Sequence, residues 1–143
     1  MPFSSLGLSS PLLKAIAEQK YTTPFPIQKE AIPAILKGKD ILGIAQTGSG
    51  KTASFVLPIL EQLQHQTVPS RNRHVKALVL VPTRELAIQI NSAFNVMGSY
   101  LADKTKCLAV FGGVSINPQM IDLQGVEILI ATPGRLLELI SSK

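Results

Sequence analysis

The sequence predicts an α/β fold, a mostly parallel, doubly wound sheet flanked by helices. Short apolar runs alternate with segments of helical periodicity along the chain. Each apolar run ends in a polar turn containing Gly or Pro: 46–50, Pro82-Thr83-Arg84, Gly112-Gly113 and Thr132-Pro133-Gly134-Arg135. Strands separated by helices are joined by crossovers, which makes neighbours parallel. Ligands then bind beyond the carboxyl ends of the strands, so these turns are expected along one rim.

The elements follow in order. Ser10-Pro11 reads as an N-cap and first helical residue, and Leu12, Leu13, Ile16 and Ala17 make an apolar helical face. After a Pro-rich turn over 21–26, a second helix runs from 26 to 37 and stops at Gly38, with Pro33 expected to kink or break it. Residues 40–45 read as the first strand. A helix over 51–64 follows, bent at Pro58. Residues 67–74 form a polar loop. The second strand covers 75–81, and its unbroken run Ala77-Leu78-Val79-Leu80-Val81 predicts burial on both faces. A helix over 84–100, a strand over 106–111, a short helix over 118–123, a strand over 126–131 and a helix from 135 to 140 complete the pattern.

Composition narrows the class. With 143 residues and 45% hydrophobic content, the chain can bury a core as one domain and is not disordered. The start Met1-Pro2-Phe3-Ser4-Ser5 lacks the basic and apolar regions of a secretory signal, and no apolar run nears the ~20 residues of a membrane helix. The single Cys107 excludes an internal disulfide and reads as a buried free thiol in a reducing, cytoplasmic setting. His65, His74 and Cys107 offer no zinc-type spacing. The net charge of +5 favours a polyanionic partner, although a basic surface also serves plain solubility.

The most specific local feature is Ala45-Gln46-Thr47-Gly48-Ser49-Gly50-Lys51-Thr52. Gly48 and Gly50 let the backbone turn tightly and present N–H groups as an anion nest, to which the helix starting near Lys51 adds its positive end. Lys51 would reach the β and γ phosphates of a nucleoside triphosphate, and the Thr52 hydroxyl would bind Mg²⁺. The general phosphate-loop pattern opens with Gly, where this chain has Ala45. The other turns combine Thr, Arg and exposed amides, the groups that contact nucleic-acid backbones without reading bases. Taken singly, Arg84 could as well pair with Glu85, and Arg135 with Glu138.

In combination these motifs carry a resemblance. Pro24-Phe25-Pro26-Ile27-Gln28, then 45–52, Pro82-Thr83-Arg84-Glu85-Leu86-Ala87, Gly112-Gly113 and Thr132-Pro133-Gly134-Arg135 occur in this order over nearly the whole chain. The chain resembles the first RecA-like domain of a DEAD-box RNA helicase, a P-loop NTPase fold, and Ala45 is usual there. The resemblance implies an adenine-recognition region over 1–38 and a phosphate-loop and RNA-contact core over 39–143, with no second RecA-like domain among these residues. It implies ATP and Mg²⁺ as cofactors and Lys51 and Thr52 as catalytic residues. Gln28 would bond the adenine edge, Tyr21 would stack on it, and Phe3 would support the region from upstream. Phe25 departs from the Thr usual between the two prolines. Pro82, Thr83, Arg84, Gly112, Gly113, Thr132, Pro133, Gly134 and Arg135 would contact RNA backbone independently of sequence.

The same resemblance frames an absence. The 143 residues contain no Asp-Glu-Ala-Asp, the acids that would hold Mg²⁺ and orient the attacking water. The chain is therefore expected to be a piece of a longer helicase, inactive by itself. In this superfamily further strands lie between the phosphate-loop strand and the others, so 40–45 is expected to lack neighbours and the fragment could self-associate. The alternatives are a non-catalytic nucleotide- or RNA-binding module of this length and a DNA-directed or transport P-loop ATPase; Gln28 and the Pro-Thr-Arg-Glu-Leu-Ala motif argue against the latter.

Overall fold

The computed structural model describes residues 2–65, 74–103 and 105–141. Of the loop predicted over 67–74, all but His74 lies outside the described residues. The elements are a 3₁₀ turn (Phe3–Ser5), α1 (Ser10–Glu18), α2 (Pro26–Leu36), α3 (Lys51–Gln64), β1 (Ala77–Leu80), α4 (Arg84–Met97), β2 (Cys107–Val110), α5 (Ile116–Asp122), β3 (Ile128–Ala131) and α6 (Pro133–Ser141). They fall into two compact units, one of Met1–Gln66 with Ala93–Lys104, the other of Thr67–Ser92 with Thr105–Lys143.

The first unit is helical. Leu12, Ala15 and Ile16 recur at helical spacing on α1 and are buried. The N-cap is Ser9, one residue before the expected Ser10, and Pro11 sits in the first turn. The Ser9 amide donates to Glu61 Oε1 on α3 at 2.8 Å, which ties the start of α1 to a buried carboxylate. α2 packs on α3, and Gln62 Nε2 donates to the Ile35 carbonyl at 2.9 Å, a second bond to an oxygen that already accepts the Gly38 amide at the end of α2. Both helices continue through Pro33 and Pro58. α2 ends as expected, with Gly38 at φ +80°.

The second unit holds a three-stranded parallel sheet in the order β1-β3-β2, flanked by helices. Leu80, Ala131 and Val110 are level in the register, so the segments after all three strands leave from the same edge of the sheet. Every residue of β3 is buried. Val110, Val126, Leu129, Ala131 and Leu139 form the core of this unit.

Two expectations are corrected. Residues 40–45 form no strand, and Leu42 and Ile44 are 87% and 85% exposed. A strand exists only through pairing, and the ladders of this sheet join 77–80, 128–131 and 107–110 alone. β1 is not buried on both faces: Leu78 and Leu80 are exposed. It is an edge strand, and the doubly buried position belongs to β3, whose apolar run is equally continuous.

Candidate functional site

In the first unit, the phosphate-loop residues form a compact turn in front of α3. Gly48 and Gly50 both take positive φ, +80° and +83°. The Ser49 amide donates to the Gln46 carbonyl at 3.2 Å, and the Ser49 hydroxyl donates to the same oxygen. Gly50 is the N-cap of α3, so the helix begins at Lys51, as the sequence predicts. Lys51 is exposed and Thr52 half-buried. A Cβ on Gly48 would meet nothing within 4 Å, so one side of the turn is open. A Cβ on Gly50 would collide with Gln28 Nε2 and come within 2.7 Å of the Phe25 ring. Only glycine permits that close approach.

Gln28 is the brace behind the turn. It is 1% exposed. Its Oε1 accepts from the Phe25 amide at 3.0 Å, and its Nε2 donates to the Gly50 carbonyl at 3.1 Å. The Pro24-Phe25-Pro26 segment is thereby bonded to the end of the glycine turn. A side-chain amide has two acceptor lone pairs and two N–H donors, so one of each remains. Phe25, the residue that departs from the usual Thr, lies against the Gly50 backbone with its ring partly exposed. Tyr21 is exposed, while Phe3 is buried in the 3₁₀ turn.

The second unit brings its turns to the carboxyl edge of the sheet. After β1, the Thr83 hydroxyl accepts the Leu86 amide at 3.2 Å and caps α4. Pro82, Thr83 and Arg84 are exposed. Arg84 lies 3.8 Å from Glu85, a long contact between exposed groups. Its guanidinium also sits beside Gly113, where an added Cβ would be 3.4 Å from Nη1. After β2, Gly112 and Gly113 are exposed, and Gly113 takes φ +84°. After β3, the Thr132 amide donates to the Val110 carbonyl at 3.2 Å, and Pro133 and Gly134 are exposed at the start of α6.

Arg135 differs from the other residues expected to contact RNA. It is only 6% exposed. Its Nη1 donates to Gln119 Oε1 at 2.9 Å and its Nη2 to the Val114 carbonyl at 2.8 Å. Its Nε lies 3.6 Å from Glu138 Oε1 without a hydrogen bond. Sequence reasoning missed Gln119. The available signal was its place on the apolar stripe Ile116, Met120, Leu123 of a short amphipathic helix, where a buried amide must find partners.

Among the described residues, no group of three or more His, Cys, Asp or Glu side chains could hold a metal. Cys107 is half-buried, and burial with the nearby Glu127 charge pushes its thiol up to about 12, which keeps it protonated and unreactive. No helix among the described residues is long and apolar enough to cross a membrane.

Comparisons with known proteins bear on the family and the fold. The DEAD/DEAH box helicase family matches residues 25–143. An ATP-dependent rRNA helicase, RRP3, of Candida albicans is 47% identical over 137 residues, covering 95% of this chain and 24% of that protein. A DEAD-box ATP-dependent RNA helicase, RhpA, of Helicobacter pylori is 44% identical over 137 residues, covering 95% of this chain and 26% of that protein. The crystal structure of a DEAD box protein from the hyperthermophile Methanococcus jannaschii superposes with a TM-score of 0.86 at 36% identity, over 99% of this chain and 37% of that one. The chain spans about a quarter of the length of these curated relatives. With a RecA-like sheet, a braced glycine turn before α3 and this match over most of its length, the chain belongs to the DEAD/DEAH box helicase family.

Proposed function

We propose that this chain is the ATP-binding and RNA-backbone-binding portion of an ATP-dependent RNA helicase that unwinds or remodels RNA. The observation that carries the reading is the turn over 46–50, which leads into α3 through Gly50 and is held from behind by Gln28. The turn over 45–50 receives the triphosphate on backbone N–H groups. Lys51 neutralises the β and γ phosphates, and Thr52 supplies a hydroxyl to the accompanying Mg²⁺. Bound Mg²⁺ offsets phosphate charge during transfer. The remaining lone pair and N–H of Gln28 would read the adenine edge, Tyr21 would stack on the base, and buried Phe3 supports the region. RNA lies along the turns after β1, β2 and β3. Pro82, Thr83, Arg84, Gly112, Gly113, Thr132, Pro133 and Gly134 meet its backbone irrespective of sequence. Arg135 serves the same site from inside.

Phosphoryl transfer depends on positioned charge, and an arginine finger can be worth ~10³–10⁵ in rate. The 143 residues hold neither the Asp-Glu-Ala-Asp acids nor a second RecA-like domain, so by themselves they bind but do not turn over ATP. Exposed Ile41, Leu42 and Ile44 favour self-association of the isolated chain, and the reducing cytoplasm suits its one unpaired thiol. The reading is tested by measuring ATP and GTP binding to the chain and to Gln28→Ala. Tighter binding of ATP, reduced to parity in the variant, is expected; equal affinity in the wild type would defeat the adenine assignment. RNA-stimulated phosphate release by the 143-residue chain would overturn its expected inactivity.

A further inference from the structure

We infer that Gln119 and Arg135 are positioning residues for RNA, a buried bracket that fixes the Gly112-Gly113 turn against the start of α6. The inference rests on the RNA-binding reading above. Its basis is a closed set of hydrogen bonds around the turn. Gln119 Nε2 donates to the Phe111 carbonyl at 3.3 Å, on the near side of the two glycines. Arg135 Nη2 donates to the Val114 carbonyl at 2.8 Å, on the far side. The two side chains join each other at 2.9 Å through Gln119 Oε1. The carbonyls flanking Gly112 and Gly113 are thus both held, from α5 and from α6, while the glycines themselves stay exposed.

The alternative, a direct contact between Arg135 and phosphate, sits poorly with this geometry. The guanidinium is buried, and each of its terminal nitrogens commits one N–H to a partner inside the unit. Withdrawing it to meet RNA would strand the Gln119 oxygen and the Val114 carbonyl, each a costly loss. A bracket acts differently. Two adjacent glycines are the most mobile backbone a turn can have, and ordering them on binding costs conformational entropy. Holding their flanks beforehand removes part of that cost, which appears as affinity. It also couples the turn after β2 to the helix after β3, so that two RNA-contacting segments keep a fixed spacing.

The test is anisotropy of a fluorescein-labelled oligouridylate with the full chain, titrated over a range of salt. The variants are Gln119→Leu, Arg135→Lys and the double variant, each checked for folding by circular dichroism. Each single variant is expected to weaken binding about tenfold, and the double variant no further, because both break one network. Neither should change the slope of log affinity against log salt, because no phosphate contact is lost. The Lys variant is the informative one. It keeps the charge but not the planar fork that reaches Gln119 and Val114 together. A direct phosphate contact would instead leave Arg135→Lys near wild type and Gln119→Leu unaffected, and Arg135→Met would lower the slope by about 0.7. Either near-wild-type result overturns the inference. If Gln119→Leu does not fold, Arg135→Lys decides alone. If the wild-type chain binds no oligouridylate even at low salt, the RNA reading itself has failed.

Discussion

Two segments of this chain have almost the same local design and opposite fates. In the first, Ile41-Leu42-Gly43-Ile44 is followed by a glycine turn and then α3. In the second, Ile128-Leu129-Ile130-Ala131 is followed by Thr132 and then α6. The turn and helix form in both. The apolar run becomes a fully buried central strand only in the second, while in the first its side chains face water. Helix starts and tight turns are written in neighbouring residues, whereas a strand is a relationship with a partner elsewhere in the chain. β3 has two such partners, β1 and β2, and residues 40–45 have none in this sheet.

That contrast can be broken most forcefully in the sheet. Ile130 is fully buried between β1 and β2. Ile130→Ala removes a branched side chain from the middle of three strands and should destabilise the second unit by ~2–5 kcal/mol. Urea unfolding followed by circular dichroism reads this directly. A loss below about 1 kcal/mol would mean that β3 is not the centre of the packing.

The glycine turn should respond to backbone change more than to lost hydrophobic contact. Gly50→Ala asks a Cβ to occupy a left-handed conformation at φ +83° and to displace Gln28 and the Phe25 ring. We expect ~1–3 kcal/mol of destabilisation, with a loss of ATP affinity. Gly48→Ala faces a similar backbone penalty in open space and should cost only about 1 kcal/mol. Equal effects at the two positions would show that the Gln28 brace contributes nothing. At the other turn, Thr83→Ala removes the cap of α4 and should cost about 1 kcal/mol, with faster amide exchange at Leu86.

How much was legible follows the same division. The start of α3 at Lys51 was readable from Gly50, and the end of α2 from Gly38, because each glycine acts on its own turn. The Pro24-Phe25-Pro26-Ile27-Gln28 run could be matched to a family, but not the bond from Gln28 to Gly50, which spans 22 residues. The same holds for Arg135. Its sequence neighbour Glu138 was a natural partner, yet its two terminal nitrogens go to Gln119 and Val114, 16 and 21 residues away. β1 and β3 read equally well as central strands, since each is an unbroken apolar run, and only the pairing order distinguishes them.

The smallest expected effect is the sharpest test of the comparison. Leu42→Ser with Ile44→Ser deletes two large apolar side chains, which in a buried strand would cost several kcal/mol. Here both are exposed, so the change should stay within ~0.5 kcal/mol in urea unfolding. It should also lower any concentration-dependent association of the chain, because it removes most of the exposed apolar surface of 41–44. Amide exchange supplies the matching control: residues 41–45 should exchange rapidly and residues 128–131 slowly. If the double variant instead unfolds the chain, the segment is buried against something in solution. Scattering at several concentrations would then tell a second copy, which makes the destabilisation depend on dilution, from a contact within one chain, which does not.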